Sequence, residues 1–202
     1  MLISNNLPID RSRLLQSDRI LTITGTKWSD YQKFNSEEYP GYRVSYFKGE
    51  IIIVSPGLNH EIIAEVINRL IIAYCERFDI LDFPFRQTRL EVEGKAGKEQ
   101  DIAYSFNLRK SLPELVVEVI FTSGDIKQLK TSYEIIGIPE LWIWKDSEMT
   151  FYYLVDGKYV EISNSNILPK MESLSLAKFV NRGIQESPSI IKKDFIKLLT
   201  NN

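Results

Sequence analysis

The stretch Leu-Val-Val-Glu-Val-Ile-Phe, residues 115–121, decides the fold of this chain. An apolar run of this length with a single interruption predicts a central β-strand that is covered on both faces. The interruption is Glu118, and a carboxylate in a central strand must be paired, protonated or bound to a metal ion. The same seven residues therefore indicate the centre of the sheet and a place to look for chemistry.

A helix and several further elements follow this run. The helix is predicted from about Ser123, which suits an N-cap, to Ile136, and Gly137 ends it. The remaining downstream elements are a strand at 141–144, a hairpin of strands 149–155 and 158–162, and two weak helical patterns within 173–199.

The strongest helix signal lies upstream of the run and begins at Asn59, a good N-cap. Apolar residues from Ile63 to Phe78 trace one face of this helix. Between it and the central strand, residues 85–92 and 100–106 predict a pair of strands joined by a glycine-containing loop. The elements before the helix are a short helix within 26–34 and a hairpin of 44–48 with 51–54, preceded by polar, aperiodic residues 1–20.

This order of elements predicts a mixed α/β (α+β) domain in which helices flank a central mixed sheet. The chain has 202 residues, of which 44% are apolar and 26% charged, as expected of one soluble folded domain over residues 1–202. No repeat or linker divides the sequence. We expect a core over about residues 26–180 with appendages at both ends.

Several classes of function are excluded by what the sequence lacks. A single cysteine, Cys75, and a single histidine, His60, exclude a disulfide framework and zinc sites built on several thiolates or imidazoles. The glycine patterns of dinucleotide-binding, P-loop and α/β-hydrolase proteins do not occur. No apolar stretch is long enough to span a membrane, and no signal peptide is visible, so a cytoplasmic location is expected.

The charge balance also narrows the function. A net charge of -2 and a pI of about 5.6 argue against a strongly basic nucleic-acid binder. Net charge averages over all faces of the molecule, so these values leave room for a local basic groove.

Asp101 is the second carboxylate of interest, at the start of the strand before Glu118. The 17 positions between the two are enough for one strand, a turn and a return, so adjacent strands can present both carboxylates at one end of the sheet. Two close carboxylates repel each other, and a hard cation such as Mg²⁺ resolves that conflict. In the alternative interpretation, which spacing alone favours, Asp101 caps a turn and Glu118 pairs with a buried lysine or arginine.

Lysine and histidine side chains are candidates to complete a hydrolytic site. Lys127 and Lys130 lie at the edge of the apolar stripe on the helix after Glu118, from where an amine can reach back over the sheet. The alternative is an ordinary solvated face with a Lys130–Glu134 pair. His60 stands in the first turn of the long helix, where a lone histidine is more often a structural hydrogen-bonding group than a catalyst.

Taken in order, these segments resemble the Uma2 (Uma-two) family of the PD-(D/E)xK restriction-endonuclease-like superfamily. The resemblance covers roughly residues 26–180 and rests on motifs in four places. The first two are Gly-Glu-Ile-Ile to Ser-Pro at 49–56, with His60 after it, and Gln-Asp-Ile-Ala at 100–103. The other two are the Val-Glu-Val strand at 115–120 and the set Ser123, Asp125, Lys130 and Tyr133, which is followed by Gly-Ile-Pro-Glu-Leu-Trp at 137–142.

The resemblance implies a restriction-endonuclease-like fold and a phosphodiesterase that uses Mg²⁺ or Mn²⁺ on nucleic acid, with DNA the expected substrate. Carried over residue by residue, Asp101 is the metal-binding aspartate, Glu118 the second acid and the Val119 carbonyl a further metal ligand. Position 120, where the superfamily usually has lysine, is isoleucine, so Lys130 is the expected replacement.

The resemblance carries further expectations for the surroundings of the site. Glu50 and His60 match the family motif and are expected to hold an outer-shell water or a second metal. A homodimer is expected, because cleavage of both DNA strands needs two sites. The side chains expected to form a local basic rim that grips phosphates are Lys95, Lys98, Arg109 and Lys110.

Two hypotheses of function follow, an endonuclease and a catalytically degenerate nuclease fold that serves as a nucleic-acid-binding or oligomerisation module. The isoleucine at position 120 and the acidic pI motivate the second hypothesis. A third, weaker interpretation is a metal-binding protein that acts on another substrate. Convergence of Asp101, Glu118 and Lys130 within a few ångströms would support the site, whereas a Lys130 directed elsewhere would lose its assigned role.

Overall fold

The computed structural model describes residues 18–34, 41–85, 88–121 and 125–201. Within these residues the protein is a mixed α/β structure of two sheets and five helices, which confirms the predicted fold class. The prediction of one central sheet is corrected to two, because the predicted hairpin and residues 89–92 join two strands that the sequence pattern did not indicate, 19–24 and 96–99, in a second sheet.

The larger sheet has six strands and contains the apolar run of residues 115–121. Its strands, in spatial order, are β11 (Lys158–Ile162), β10 (Glu148–Val155), β9 (Glu140–Lys145), β8 (Leu115–Ile120), β7 (Ile102–Phe106) and β4 (Asp82–Pro84). β8 lies between β9, its parallel neighbour, and β7, its antiparallel neighbour. Five of its six residues are buried, which confirms the predicted central strand.

The smaller sheet has five strands, and all of their pairings are antiparallel. Its strands, in spatial order, are β1 (Arg19–Thr24), β3 (Glu50–Ser55), β2 (Arg43–Phe47), β6 (Ala96–Glu99) and β5 (Arg89–Val92). The predicted hairpin is present as β2 and β3, which are joined by a two-residue turn with positive φ at Lys48 and Gly49.

The described helices are α1 (Trp28–Tyr31), α2 (Leu58–Arg77), α3 (Ile126–Ile136), α4 (Ser173–Val180) and α5 (Pro188–Asn201). α2 is the long amphipathic helix, and its buried face joins the core built on the inner residues of β7, β8 and β9. α3 packs on the other side, where Tyr133 and Ile136 contact a second apolar cluster. None of the described helices is both long and apolar enough to cross a membrane.

The predicted pairing of residues 85–92 with 100–106 is wrong. β5 pairs instead with β6 across a tight turn that has Gly94 at φ 69°, while β7 belongs to the other sheet. β6 reads Ala-Gly-Lys-Glu, which carries almost no strand signal, so the sequence pattern placed it in a loop.

The boundaries of several elements also differ from the predicted ones. α2 begins two residues earlier than predicted, with Gly57 rather than Asn59 as its N-cap. α3 begins at Ile126 behind Asp125, whose carboxylate accepts hydrogen bonds from the Lys127 and Gln128 amides. The predicted cap Ser123 lies outside the described residues, as do residues 1–17 of the segment predicted to be aperiodic.

Candidate active site

The register of β7 and β8 brings the two predicted acids together. Ile102 pairs with Val117 in this antiparallel ladder, so Asp101, one residue before, and Glu118, one residue after, stand opposite each other where the strands diverge. Both side chains are buried, with exposed fractions of 5% and 7%. Two neighbouring carboxylates inside the protein require compensation, and each of them has its own set of partners.

Asp101 is held by backbone and side-chain donors. Its Oδ2 accepts a hydrogen bond from the Val119 amide at 2.9 Å and lies 3.0 Å from Nε2 of His60. Its Oδ1 lies 3.6 Å from Nε of Arg43, a distance at which charges attract without a direct hydrogen bond. Asp101 is thus fixed on one oxygen, while the other faces a guanidinium.

Glu118 has a different environment. The Tyr133 hydroxyl donates to its Oε1, and the Lys98 ammonium lies 3.4 Å from its Oε2. Burial raises the pKa of Glu118 from 4.5 to about 7; the Lys98 ammonium opposes this rise, and the negative charge of Asp101 adds to it. Ionisation of Glu118 therefore lowers the stability of the folded protein.

His60 connects the N-terminal end of α2 to this site. It is the third residue of the helix, is buried, and contacts Asp101 through Nε2. Its Nδ1 has no hydrogen-bond partner among the described residues and lies 3.7 Å from Oδ1 of Asp18. Asp18 is itself fixed by the Gly57 amide at 2.9 Å, so the imidazole stands between two anchored carboxylates.

Lys130 does not reach the acids, which corrects its expected role. Its ammonium lies 4.0 Å from the centre of the Tyr152 ring on β10. The helical phase explains this, because each residue turns about 100° around the axis and Leu129, one position earlier, is the residue that faces the acids. The expected Lys130–Glu134 pair is also replaced, since Glu134 binds the Lys158 ammonium at 2.8 Å.

Lys98 on β6 provides the ammonium group that the sequence analysis assigned to Lys130. It pairs with Ser45 of β2, and this face of the smaller sheet points towards β8 and α3. Lys98 was expected only in a basic rim; of the other rim candidates, Lys110 binds Glu114 at 2.6 Å and Arg109 lies over the Phe83 ring.

Glu50 stands apart from the two acids. Its Oε2 accepts a hydrogen bond from Nε2 of the Gln128 side chain at 3.3 Å, which connects the start of β3 to the first turn of α3. The structure therefore brings together Asp101, Glu118, Val119 and His60 of the predicted residues, and it leaves Glu50 and Lys130 outside this group.

A cavity of about 130 Å³, here called the cleft, opens beside the acids between the smaller sheet and α3. Its lining includes the charged or polar residues Asp101, Glu118, Arg43, His60 and Lys98 and the apolar residues Phe47, Ile52, Val54, Ile120 and Leu129. The two kinds are neighbours, since Arg43 pairs with Val54 on one face of the smaller sheet. The five apolar residues are half-buried, so each leaves part of its surface facing the cleft.

Sequence reasoning missed the partners of the acids. Arg43, the cationic neighbour of Asp101, and Asp18, the neighbour of His60, lie far from both acids in sequence and carry no local motif, so only the fold reveals them. Tyr133, which matches the family motif, is buried on α3, and the sequence pattern does not indicate that its hydroxyl reaches Glu118.

The residues of this site fit a hard divalent cation. In the described part of the chain, no group of three or more histidine, cysteine or acidic side chains is arranged so that it could by itself hold a metal ion. Mg²⁺ needs fewer, since it binds through one or two carboxylates and keeps several waters. Asp101 Oδ1 and Glu118 Oε2 contact only cationic side chains, so both oxygens are available to a bound cation that displaces those contacts.

Comparisons with known proteins identify the family to which the chain belongs. No curated protein matches the chain. The model of the Uma2 family, described as "Putative restriction endonuclease", matches residues 28–189, which include both acids, β6 and α3. A match over most of the chain's length establishes membership, and the chain therefore belongs to the Uma2 family.

Proposed function

We propose that this protein is a Mg²⁺-dependent nuclease that hydrolyses phosphodiester bonds of nucleic acid, with DNA as its substrate. The observation that carries the proposal is the opposed pair Asp101 and Glu118, buried at the end of β7 and β8 beside an open cleft. The family description supports a nuclease of the restriction-endonuclease type. Mn²⁺ has the same preference for oxygen ligands and is included in the proposal.

Asp101, Glu118 and the Val119 carbonyl are the groups that would hold the cation. When bound, a divalent cation there supplies neutralising charge to the phosphate and lowers the pKa of a water molecule. Asp101 is prepared for this role because the Val119 amide and His60 fix its orientation before any ligand arrives. Such preorganisation avoids reorganisation during the reaction.

We assign to Lys98 the role of the catalytic lysine, which we had expected of Lys130. Its ammonium lies beside Glu118 and faces the cleft, where it can stabilise the negative charge that develops on phosphate oxygens during hydrolysis. Arg43 adds a second positive charge next to Asp101. The water oxygen adds to phosphorus and loses a proton to solvent, the bond from phosphorus to the leaving oxygen breaks, and the leaving oxygen takes up a proton from solvent.

A cleavage assay tests this proposal. Purified protein is incubated with linear single-stranded and duplex DNA in Mg²⁺, and we expect Asp101→Ala and Glu118→Ala to reduce the rate at least about 100-fold. Lys98→Ala is expected to reduce the rate by a similar factor. Its matched control is Lys130→Ala, which removes an ammonium over Tyr152 and should leave the rate within about threefold.

Two outcomes would contradict the proposal. If Asp101→Ala cleaves as fast as the wild-type protein, the activity does not arise at this site. If Lys130→Ala loses activity and Lys98→Ala keeps it, the assignment of the ammonium group is wrong.

The alternative of a degenerate nuclease fold rests on one observation. Each acid already has a cationic neighbour, Lys98 for Glu118 and Arg43 for Asp101, so the site is charge-compensated without a metal. Calorimetric titration with Mg²⁺ separates the two functions. A binding heat that disappears in Glu118→Ala supports the enzyme, and the lack of any heat in the wild-type protein supports the non-catalytic module.

A further inference from the structure

Asp18 is a buried carboxylate that has no role in the reaction as described so far. Its side chain is only 4% exposed, and it lies directly before β1, at one edge of the smaller sheet. It also lies outside residues 28–189, the segment that the family model matches. A carboxylate removed from water lowers the stability of the fold unless other groups compensate its charge. The contacts of Asp18 therefore indicate its role.

The contacts that Asp18 makes with described residues belong to the start of α2. Its Oδ1 accepts the hydrogen bond from the Gly57 amide at 2.9 Å, and the same oxygen lies 3.7 Å from Nδ1 of His60. The N-terminal end of a helix carries a partial positive charge, so the 20-residue α2 stabilises an anion at this place. Asp18 is thus a fixed anion that faces one edge of the His60 imidazole.

The opposite edge of the imidazole faces Asp101. Nε2 of His60 lies 3.0 Å from Oδ2 of Asp101, and because a carboxylate oxygen only accepts hydrogen bonds, this nitrogen is the donor. The Phe121 ring lies edge-on to the imidazole, with 6.5 Å between the ring centres. The imidazole is therefore held between two carboxylates, and it cannot turn without leaving both of them.

The orientation of His60 fixes the orientation of Asp101. Oδ2 of Asp101 accepts from the Val119 amide and from the imidazole, whereas its Oδ1 faces the Arg43 guanidinium at 3.6 Å. A carboxylate that is held by one donor can rotate about its bond to the chain, and a second donor restricts that rotation. Partners of this kind, which bind a metal ligand rather than the metal, contribute about 10- to 100-fold to metal affinity or activity.

We propose that Asp18 is a positioning residue of the site. It fixes His60, and His60 in turn fixes Asp101 with Oδ1 available to the cation. The inference rests on the proposed function for the cation at Asp101, and it adds to the site a residue that precedes the family-matched segment. In this assignment Asp18 touches neither the cation nor the substrate and acts only through the imidazole.

Binding of Mn²⁺ to the full chain, measured by isothermal titration calorimetry, tests the role of Asp18. Asp18→Asn keeps an oxygen that can accept from the Gly57 amide, and it removes the charge beside His60. We expect this variant to bind Mn²⁺ about tenfold more weakly than the wild-type protein. The matched control is Asp30→Asn, at a carboxylate that accepts from the Lys27 amide at the start of α1 outside the cleft, and its affinity should stay within about twofold.

A double-mutant cycle with His60→Ala tests whether Asp18 acts through the imidazole. His60→Ala should weaken Mn²⁺ binding about tenfold or more. Adding Asp18→Asn to it should then change the affinity less than about twofold, because the ring that connects Asp18 to Asp101 is absent. Wild-type affinity in Asp18→Asn, or effects of the two substitutions that multiply in the double variant, would overturn the proposal, since Asp18 would then only anchor α2.

Amide hydrogen exchange in EDTA provides a readout that needs no metal. The Val119 amide donates to Asp101, so a less restricted Asp101 should let this amide exchange about tenfold faster in Asp18→Asn and in His60→Ala. The Val117 amide of the same strand is the reference and should keep its wild-type rate. Equal acceleration of both amides would show a general loss of stability and would contradict the positioning role.

The outcomes separate this proposal from the nuclease itself. If the wild-type protein binds no Mn²⁺ and cleaves nothing, but both variants accelerate exchange of the Val119 amide alone, the nuclease fails and Asp18 remains the positioning residue of Asp101. If the wild-type protein binds Mn²⁺ and cleaves DNA, but Asp18→Asn equals it in affinity and in Val119 exchange, the nuclease stands and the role of Asp18 is wrong.

Discussion

At the scale of single residues, the two acids are chemically unequal although they stand opposite each other. Asp101 receives a backbone hydrogen bond and an imidazole contact on one oxygen. Glu118 is bound by a neutral hydroxyl and one ammonium, and burial dominates its surroundings. The pair therefore consists of an anchored carboxylate and one whose protonation responds to what enters the cleft.

Glu118 should make the stability of the metal-free protein depend on pH. Its pKa is about 7 in the folded protein and 4.5 when unperturbed, so the folded state binds the proton more tightly. Its favourable contribution is complete below about pH 4.5 and is lost as the pH rises through 7. In EDTA, we expect the wild-type protein to lose on the order of 2 kcal/mol more unfolding free energy than Glu118→Gln between pH 5 and pH 8.

Urea unfolding of both proteins at the two pH values measures this difference. Glutamine keeps the shape of the side chain and removes its titration, so contributions from all other groups cancel in the comparison. Parallel pH profiles of the two proteins would show that Glu118 titrates in its normal range.

At the scale of elements, those with a strong sequence pattern were predicted and those with a weak pattern were missed. The apolar run gave β8 and the amphipathic pattern gave α2, since burial on two faces or on one stripe leaves a clear periodicity. β6 has four residues, two of them alanine and glycine, so nothing in its sequence indicated a strand. Lys98 belongs to β6, and for this reason the sequence could place Asp101 and Glu118 but not the ammonium beside them.

The N-terminus of α3 depends on Asp125 as its cap. The carboxylate accepts hydrogen bonds from the amides of Lys127 and Gln128, at 2.9 and 3.1 Å. Asp125→Ala should therefore lower the unfolding free energy by about 1 kcal/mol, and Asp125→Asn should stay within a few tenths of the wild-type value because asparagine caps equally well. Equal stability of the alanine and asparagine variants in urea would argue against this cap.

Gly97 of β6 allows the Tyr31 ring of α1 to lie on the smaller sheet. A Cβ at this position would approach the ring more closely than real Cβ atoms approach their neighbours. Gly97→Ala should lower the unfolding free energy by about 1–3 kcal/mol through overpacking. In a Tyr31→Ala background the same substitution should cost much less, and a double-mutant cycle in urea measures the difference.

At the scale of the whole molecule, the candidate site lies where the two sheets and two helices meet. The larger sheet carries both acids, the smaller sheet carries Arg43 and Lys98, and α2 brings His60. The sequence predicted the mixed α/β class because its strongest elements alternate, and it could not predict the second sheet because this arrangement depends on pairing between distant segments. The residues of the site that come from the smaller sheet were unpredictable for the same reason.

The low number of cations at the cleft predicts a weak dependence of binding on salt. Neutralisation of about two phosphates by Arg43 and Lys98 corresponds to a slope of about -1.4 in a plot of log K against log salt for a single strand. Fluorescence anisotropy titrations of a labelled single-stranded oligonucleotide over a range of KCl concentrations give this slope. A slope of about -5 or steeper would show that many cations outside the cleft hold the backbone.

The chain crosses from one sheet to the other within the site itself. Lys98 is near the end of β6 in the smaller sheet, and Asp101 directly precedes β7 in the larger one, with only Glu99 and Gln100 between them. Any motion that separates the sheets moves the Lys98 ammonium of the smaller sheet away from the Glu118 carboxylate of the larger one. The intact site can exist only in molecules whose two sheets are docked. A ligand of the cleft therefore stabilises the docked state, and it should slow amide exchange along both β6 and β7.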